Sequence, residues 1–245
     1  MFSIGHPFIE LQQVESTNNY ATGLAHEGMA QHGTAVFAHY QTKGKGQRYK
    51  QWHSEPGKNI ALSILIQPQG LVLSESFLIS MATAVAVYRF FSNYAGEETS
   101  IKWPNDIYWR DRKAAGILIE NIIRGSEWKW CIVGIGININ QTSFDDIATK
   151  ATSFKQITGK NYDPPALAKE LCNYLSEAYL ELHQSENDTI EAYKRVLFKK
   201  NETVLFKKNT EMFTAIIKDV TKNGRLVVEH ENEESFEVGE IEWVI

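Results

Sequence analysis

Glycines and cations alternate in one short segment that lies between two apolar runs. Residues 41–52 include Gly44 and Gly46 beside Lys45 and Arg48. Glycine lets the backbone approach a ligand closely, and successive backbone amides in such a loop can face an anion. Lysine and arginine side chains donate charge-assisted hydrogen bonds to phosphate or carboxylate oxygens. The segment therefore predicts an anion-binding loop, which we expect to be mobile without a ligand.

Three further polar groups interrupt apolar sequence, the first of them at residues 16–18. A proline bend presents the amide of Asn105 and the carboxylate of Asp106 together, which suits positioning a hydroxyl or holding Mg²⁺ through oxygen ligands. Lys113 lies three residues before Gly116, so its ammonium can enter a cleft where glycine leaves room for a substrate. Each group alone is typical of a helix cap, a turn or a solvated strand end. Their combination favours a binding site.

Standard motifs for nucleotide binding and covalent catalysis are missing from the sequence. The P-loop pattern does not occur, and the run at Gly134 and Gly136 has two of the three glycines of the dinucleotide fingerprint. Neither G-x-S-x-G nor H-E-x-x-H is present, and the seven histidines lack ligand spacing. An acyl-serine hydrolase and a zinc enzyme are therefore disfavoured. The remaining groups suit stabilising phosphate charge and orienting a carboxylate.

Composition is that of an ordinary globular protein, with 245 residues, 43% hydrophobic and 22% charged. The net charge of -5 disfavours a sequence-independent nucleic-acid binder, which needs clustered cations. The two cysteines, Cys131 and Cys172, are too few for a disulfide framework and fit a reducing compartment. The sequence has no signal-peptide pattern and no apolar run long enough for a bilayer, so we expect a cytoplasmic protein without membrane contact.

Hydrophobic periodicity predicts both helices and strands along the chain. Predicted strands lie at 8–11, 34–40, 60–66, 101–103, 106–109, 116–120 and 128–139, with a hairpin turn at 110–112. Predicted helices lie at 18–26, from 74 to near 96, from 163 through 182, and at 189–198. Short strands with a turn at 222–224 and a last strand at 236–245 follow. This pattern predicts an α+β fold whose mostly antiparallel sheet packs with helices in a domain at 1–199, followed by a small β domain at 200–245.

Five separated motifs, in their order and spacing, resemble the catalytic module of biotin protein ligases. They are Glu15-Ser16-Thr17-Asn18, Gln41-Thr42-Lys43-Gly44-Lys45-Gly46-Gln47-Arg48 with Trp52, Lys102-Trp103-Pro104-Asn105-Asp106, Lys113-Ala114-Ala115-Gly116-Ile117-Leu118, and Gly134-Ile135-Gly136-Ile137-Asn138. The resemblance implies a class II synthetase-like biotin/lipoate ligase fold with a small SH3-like C-terminal barrel. It also implies ATP-dependent activation of biotin to biotinyl-5′-AMP, then transfer to one lysine of a biotin carboxyl carrier domain. Biotin and ATP would be the substrates, with Mg²⁺ accompanying the nucleotide and no tightly bound cofactor.

The resemblance also assigns roles to individual residues. Biotin would contact Ser16, Thr17, Asn18, Gln41, Gly44, Lys45, Gly46, Gln47, Lys113, Gly116 and Leu118. ATP would contact Arg48, Trp52, Asn105, Asp106, Lys113 and Asn138, and Asp106 would hold Mg²⁺. Lys113, Lys45 and Arg48 would be catalytic, because attack of a carboxylate on a phosphate gains most from cations that neutralise the developing charge.

The chain departs from the family pattern in two places. The common loop is G-R-G-R-R-G, whereas Lys45, Gln47 and Tyr49 stand here, so retention of the adenylate would depend more on Arg48 or on loop closure. The sequence reaches the catalytic motifs without a helix-turn-helix segment ahead of Phe8, so we expect no DNA-binding or repressor role. A monomer and a homodimer are both compatible with the sequence.

Two alternative functions remain. A lipoate or octanoate ligase shares the fold and the two-step chemistry but usually carries an R-R-x-x-G-G-G-type loop. A non-catalytic regulator that binds biotin or its adenylate would keep the site and lose the transfer. The Lys-Trp-Pro-Asn-Asp motif favours biotin over lipoate, and the presence of Lys113 and Asp106 favours catalysis.

Overall fold

A seven-stranded mixed sheet forms the centre of the computed structural model, which describes residues 3–144 and 150–244. Its strands are β1 (Phe8–Leu11), β2 (Ala35–Ala38), β3 (Ile60–Ile66), β4 (Thr99–Lys102), β5 (Asp106–Trp109), β6 (Arg112–Arg124) and β7 (Glu127–Ile137). Their order is β1-β2-β3-β7-β6-β5-β4. Only the β1–β2 pair in this sheet is parallel. The predicted α+β class with a mostly antiparallel sheet is confirmed.

Five helices cover the two faces of this sheet. They are α1 (Thr17–His26), α2 (Ser76–Ala95), α3 (Phe154–Thr158), α4 (Pro164–Gln184) and α5 (Glu186–Arg195). Within the described ranges, none of these helices is both long and apolar enough to cross a bilayer.

The larger apolar core lies between the sheet and the pair α2 and α4. Helix α2 is buried almost all round, and it ends at Gly96, whose φ of 78° falls in the region that glycine tolerates. Alternate residues of β3, such as Leu62 and Ile64, point into this core. Leu65 instead packs with Ala21 of α1 on the opposite face. The opposite face therefore holds a smaller apolar cluster and leaves room for a polar site.

The C-terminal part of the chain forms a second, antiparallel sheet. Its strands are β8 (Thr203–Lys208), β9 (Glu211–Val220), β10 (Leu226–His230), β11 (Asn232–Phe236) and β12 (Glu242–Val244), in the order β11-β10-β9-β8-β12. The predicted turn at 222–224 joins β9 to β10. Ile245, the end of the predicted last strand, lies outside the described residues. This sheet agrees with the predicted small β domain, whose boundary near residue 200 stays a prediction.

Buried contacts join the second sheet to the first. The indole of Trp103 donates a 2.9 Å hydrogen bond to the carbonyl of Gly224, and the ring of Phe77 packs against the same glycine. Apolar residues of both sheets belong to one continuous core. The two sheets therefore pack as a unit.

Some predicted elements are placed differently by the structure. The helix predicted at 189–198 runs over Glu186–Arg195, because the Ser185 side chain caps it earlier and Phe198 donates its amide to the Ile101 carbonyl of β4. Helix α3 is absent from the prediction, and its Phe154 inserts between Phe90 and Phe91. Strand β6 extends beyond 116–120, whereas β2 is shorter than 34–40.

Candidate active site

A cleft opens on the α1 side of the first sheet. Strands β3, β6 and β7 form its floor, and the start of α1 and the loop at residues 41–52 form its walls. The lining residues are Ser16, Thr17, Asn18, Gln41, Lys45, Gly46, Trp52, Leu62, Asn105, Asp106, Lys113, Gly116, Ile117, Leu118, Gly134, Ile135 and Gly136. The strand pairing places several of them, together with Ser63, in two neighbouring rows: Leu118, Gly134 and Ser63, then Asp106, Gly116 and Gly136.

Two glycines of β7 make space on the cleft floor. A Cβ atom at Gly134 would overlap with the side chain of Asn18. A Cβ atom at Gly136 would overlap with the indole of Trp52. These glycines therefore let one wall residue from α1 and one from the loop lie directly on the sheet.

Neutral polar groups at one end of the cleft are joined by hydrogen bonds. The Gln41 side-chain oxygen accepts from the backbone amide of Thr17 at 2.8 Å and from its hydroxyl at 3.0 Å. The Ser63 hydroxyl lies 2.7 Å from Thr17 Oγ1 and 2.6 Å from Asn18 Oδ1. Thr17, Asn18 and Ser63 are all buried. We call these four residues the amide end, and their mutual bonds fix it before any ligand arrives.

Glu120 connects the amide end to the loop. Its Oε2 accepts a 2.7 Å hydrogen bond from Asn18 Nδ2, and its Oε1 lies 3.2 Å from Lys45 Nζ. Residues two apart on a strand share a face, so Glu120 follows Gly116 and Leu118 along the floor of the cleft. One carboxylate therefore holds both a helix residue and a loop residue.

The other end of the cleft is charged. Lys113 Nζ lies 2.6 Å from Asp106 Oδ1 and 5.9 Å from the centre of the Trp52 ring. Both charged groups come close to Gly116, where a Cβ atom would lie 3.3 Å from the lysine ammonium. Asn105 donates its side-chain amide to the carbonyl of Ile117. We call Lys113, Asp106 and Asn105, together with nearby Lys102, the lysine end.

Lys102 brings a second cation to the lysine end. Its pKa is lowered to about 8, chiefly by burial; the carboxylate of Asp106 raises this pKa and the ammonium of Lys113 lowers it. The ammonium lies 5.1 Å from the ring centre of Tyr108 and 4.9 Å from that of Trp243, a residue of the second sheet. Two aromatic faces therefore flank an ammonium whose pKa lies well below that of an ordinary lysine.

The loop at residues 41–52 folds back on itself. The amide of Gly46 donates to the carbonyl of Lys50 at 2.7 Å, and the amide of Trp52 donates to the carbonyl of Gly44 at 2.9 Å. This narrow hairpin carries Lys45 and Gly46 to the cleft and lays the Trp52 ring on the floor. The loop therefore supplies both a cation and an apolar wall.

Most of the predicted site residues line this one cleft, but four do not: Gly44, Gln47, Arg48 and Asn138. Arg48 has a left-handed φ of 55°, and its guanidinium lies 3.4 Å from the carbonyl of Val238 in the second sheet. Asn138 is buried, and its side-chain amide donates to the carbonyl of Thr152 at 3.0 Å. The roles predicted for these four residues stay predictions.

Three residues with clear contacts at the site are missing from the predicted set. Ser63 is the only polar residue in the apolar run of β3, which was a usable signal. Glu120 shares the alternation of Gly116 and Leu118, although an acidic residue on a strand usually indicates a solvated face. Lys102 lies within a recognised motif, yet only the packing of Trp243 against it reveals how far it is buried.

Comparisons with known proteins agree with this geometry. Residues 10–138 match the model of the biotin/lipoate A/B protein ligase family. The chain is 33% identical over 186 residues to the biotin--[acetyl-CoA-carboxylase] ligase of Paracoccus denitrificans, and this match covers 73% of each protein. It is 34% identical over 179 residues to the bifunctional ligase/repressor BirA of Bacillus spizizenii, and this match covers 72% of this chain and 54% of BirA. The chain thus spans about half the length of its BirA relatives.

A solved structure extends the likeness to nearly the whole chain. The biotin protein ligase of Aquifex aeolicus in complex with biotin and ATP superposes with a TM-score of 0.81 at 25% identity, over 97% of this chain and 98% of that one. The family indicated by the sequence motifs is thereby confirmed. This chain belongs to the biotin/lipoate A/B protein ligase family.

Proposed function

We propose that this chain is a biotin–protein ligase that activates biotin with ATP and transfers it to a lysine of a biotin carboxyl carrier domain. The observation that carries the proposal is the joining, in one cleft, of a preformed neutral amide end and a lysine end with a Lys113–Asp106 pair at 2.6 Å. The names of relatives and of the Aquifex aeolicus complex support biotin as the acid and ATP as the activating nucleotide.

The amide end suits a small neutral head group. Hydroxyl and amide groups of Thr17, Asn18, Gln41 and Ser63, with neighbouring Ser16, provide both donors and acceptors, as a ureido ring requires. Because their own hydrogen bonds fix them in place, they select by geometry rather than by charge. Leu118 and the Trp52 ring supply apolar contacts for a hydrocarbon chain running toward Lys113.

The first reaction step places charge at the lysine end. A carboxylate oxygen of biotin attacks the α-phosphorus of ATP, a new O–P bond forms, and the bond to pyrophosphate breaks with its electrons leaving on pyrophosphate. Lys113 neutralises the charge that develops between the two reactants, and Lys45 approaches from the loop. Lys102 supplies further positive charge toward the leaving pyrophosphate. No enzyme nucleophile is required.

Asp106 and Asn105 are the residues proposed to hold Mg²⁺. Among the described residues no group of three or more acidic, histidine or cysteine side chains converges, so the chain itself offers few ligands. That sparse oxygen set fits Mg²⁺, which usually keeps waters and takes its other ligands from substrate phosphates. When bound, the ion would offset phosphate charge, while Asp106 keeps Lys113 in place through their ion pair.

The second step needs shielding more than acceleration. The amine of the carrier lysine attacks the carbonyl carbon of the mixed anhydride, an amide bond forms, and AMP leaves with the electrons of the broken C–O bond. Because the anhydride is already reactive, the protein must keep water out until the lysine enters. The loop at 41–52, with Lys45, Gly46 and Trp52 over the cleft, is placed for that task.

Other features of the proposal concern the whole protein. The second sheet is proposed as a small SH3-like domain at residues 200–245 that packs against the first sheet, and Arg48 and Gln47 are proposed to reach the adenylate only when the loop moves. The free, buried thiols of Cys131 and Cys172 support a reducing, cytoplasmic location. The oligomeric state, monomer or homodimer, remains open to measurement.

The test is a pair of assays with MgATP. Biotin should produce pyrophosphate release, and an apo carrier domain should then receive labelled biotin on one lysine. If lipoate or octanoate replaces biotin as the better substrate, the chain is a lipoate-type ligase of the same family. Tight binding of biotin with no transfer to the carrier would identify a regulator instead.

A further inference from the structure

Glu120 contacts both walls of the cleft, although it lies outside the residues assigned to biotin or ATP. Its side chain is 37% exposed, and its two oxygens are divided between Asn18 and Lys45. No other acidic side chain in the described part of the chain has a bond to the amide end. We propose that Glu120 is a positioning residue for the adenylation reaction, acting on Asn18 at the amide end and on Lys45 in the loop; this inference rests on the proposed function.

The first action of Glu120 is to set the orientation of the Asn18 amide. Asn18 Nδ2 donates to Glu120 Oε2 at 2.7 Å, while Asn18 Oδ1 faces the Ser63 hydroxyl at 2.6 Å. The opposite orientation would place two acceptor oxygens against each other, because an ionised carboxylate only accepts hydrogen bonds. Asn18 Nδ2 also donates a longer hydrogen bond of 3.4 Å to the carbonyl of Leu118. Glu120, as the shorter and charged partner, therefore does most to fix which Asn18 group faces Ser63, and hence which donors and acceptors the amide end offers a ligand.

The second action is to hold the tip of the loop. Gln41 is fixed by its bonds to Thr17, so the loop is anchored at its start. The Lys45–Glu120 pair, at 3.2 Å, attaches the same loop to strand β6 four residues later. An ammonium has three donors, so Lys45 can keep this contact and still direct others at a carboxylate or phosphate.

The exposure of this pair suits a reversible attachment. The side chains of Lys45 and Glu120 are 40% and 37% exposed, and ion pairs of that kind are weak and easily broken. The loop can therefore open for a ligand and close again, whereas the bonds between Gln41 and Thr17 stay formed. Glu120 thus couples loop closure to the orientation of Asn18 in a single side chain.

The experiment compares four proteins: wild type, Glu120→Gln, Lys45→Gln and the double variant. The glutamine at 120 keeps the size of the side chain but loses its charge and can present an amide to Asn18. We expect the Michaelis constant for biotin in pyrophosphate release to rise about tenfold in Glu120→Gln, the scale for losing a charged hydrogen bond. Loss of the Lys45 contact should make the two single effects less than multiplicative in the double variant.

A matched control tests whether removing any half-exposed ion pair raises the Michaelis constant for biotin. Glu181 pairs with Arg89 at 2.8 Å and is 45% exposed, far from the cleft. Glu181→Gln should keep the wild-type Michaelis constant for biotin within about twofold, as expected for surface pairs. Glu120→Asp, which keeps the charge, should recover part of the biotin affinity, a response that a merely structural residue would not show.

The inference would be overturned if Glu120→Gln keeps the wild-type Michaelis constant for biotin, or if the two single effects multiply fully in the double variant. It would also be overturned if Glu181→Gln raises that constant as much as Glu120→Gln does. A wild-type protein without biotin-dependent pyrophosphate release would instead reject the proposed function. If Glu120→Gln lowers the melting temperature, biotin binding measured by calorimetry on Glu120→Asp decides the question, since that variant keeps the ion pair's charge.

Discussion

The amide end and the lysine end of the cleft differ in how their polar groups are satisfied. Thr17, Asn18, Gln41 and Ser63 are bonded to one another, so this end is complete without a ligand. Lys113 has one carboxylate partner, and Lys102 is held by aromatic rings at the cost of a lowered pKa. A neutral preformed end selects a substrate by shape, whereas a charged end gains most when charge develops during reaction.

The difference predicts separate effects on substrate binding and on chemistry. Substitutions at the amide end should weaken binding of the acid, while substitutions at the lysine end should slow the chemical step or weaken the binding of ATP.

Removing Lys113 should have the largest effect. Lys113→Ala should lower the rate of adenylation by about 10²-fold or more, the scale for losing one electrostatic contact to a transition state. Biotin affinity measured without ATP should change far less, because the amide end is intact. Lys218→Ala, which removes an exposed partner of Glu229 in the second sheet, is the control. Near-normal adenylation in Lys113→Ala would remove this lysine from the mechanism.

Adding a methyl group at Gly134, on the cleft floor, should displace Asn18 of the amide end. Gly134→Ala puts a methyl group into the side chain of Asn18, so we expect the Michaelis constant for biotin to rise about tenfold, which corresponds to about 1.4 kcal/mol of binding free energy. The Michaelis constant for ATP should stay near the wild-type value. Gly23→Ala is the matched control, since a Cβ atom there meets nothing within 4 Å. An equal rise for biotin and ATP would contradict the separation of the two ends.

Ligand binding in the cleft should protect the loop at residues 41–52 from proteolysis. Trypsin cleavage at Lys43, Lys45, Arg48 and Lys50 should slow several-fold when biotin, or biotin with ATP, is added. Cleavage after Lys208, which precedes the turn between β8 and β9, should not change and serves as the internal reference. Equal cleavage of the loop with and without ligand would show that closure is not coupled to binding.

The smallest effect is expected from the titration of Lys102. Its pKa, lowered to about 8 by burial, means that it is charged below pH 8 and loses that charge as the pH rises. If the charge attracts phosphates, the Michaelis constant for ATP should rise about threefold between pH 7 and pH 9, within the range of one charged contact. Lys102→Arg, which stays charged, should flatten this dependence. A flat profile in the wild type would exclude the role.

Much of the fold and site was predictable because local patterns carried the information. The run at 60–66 matches β3 residue for residue, and Gly96 marks the end of α2 as predicted. Twelve of the residues assigned to the site line the cleft, since motifs at strand ends and helix starts meet on one face of a sheet. Those assignments remain predictions of role, whereas their meeting in space is an observation.

The remaining features depended on distant contacts that no local pattern encodes. Helix α5 stops at Arg195 because the next residues pair with β4, nearly a hundred positions earlier in the chain. Asn138 looks like a free amide in the sequence, yet the structure commits it to the carbonyl of Thr152. Glu120 looks like a solvated residue until Asn18 and Lys45 are placed beside it.

The sequence by itself determined which chemical groups are available, which family the motifs resemble and where most elements begin and end. Only the tertiary structure decided that Glu120 bridges two walls of the cleft, that Gly134 and Gly136 make room for Asn18 and Trp52, and that the second sheet buries Lys102. The reason is physical: propensity and periodicity act over a few residues, whereas burial and hydrogen-bond partners are set by segments that meet only after folding.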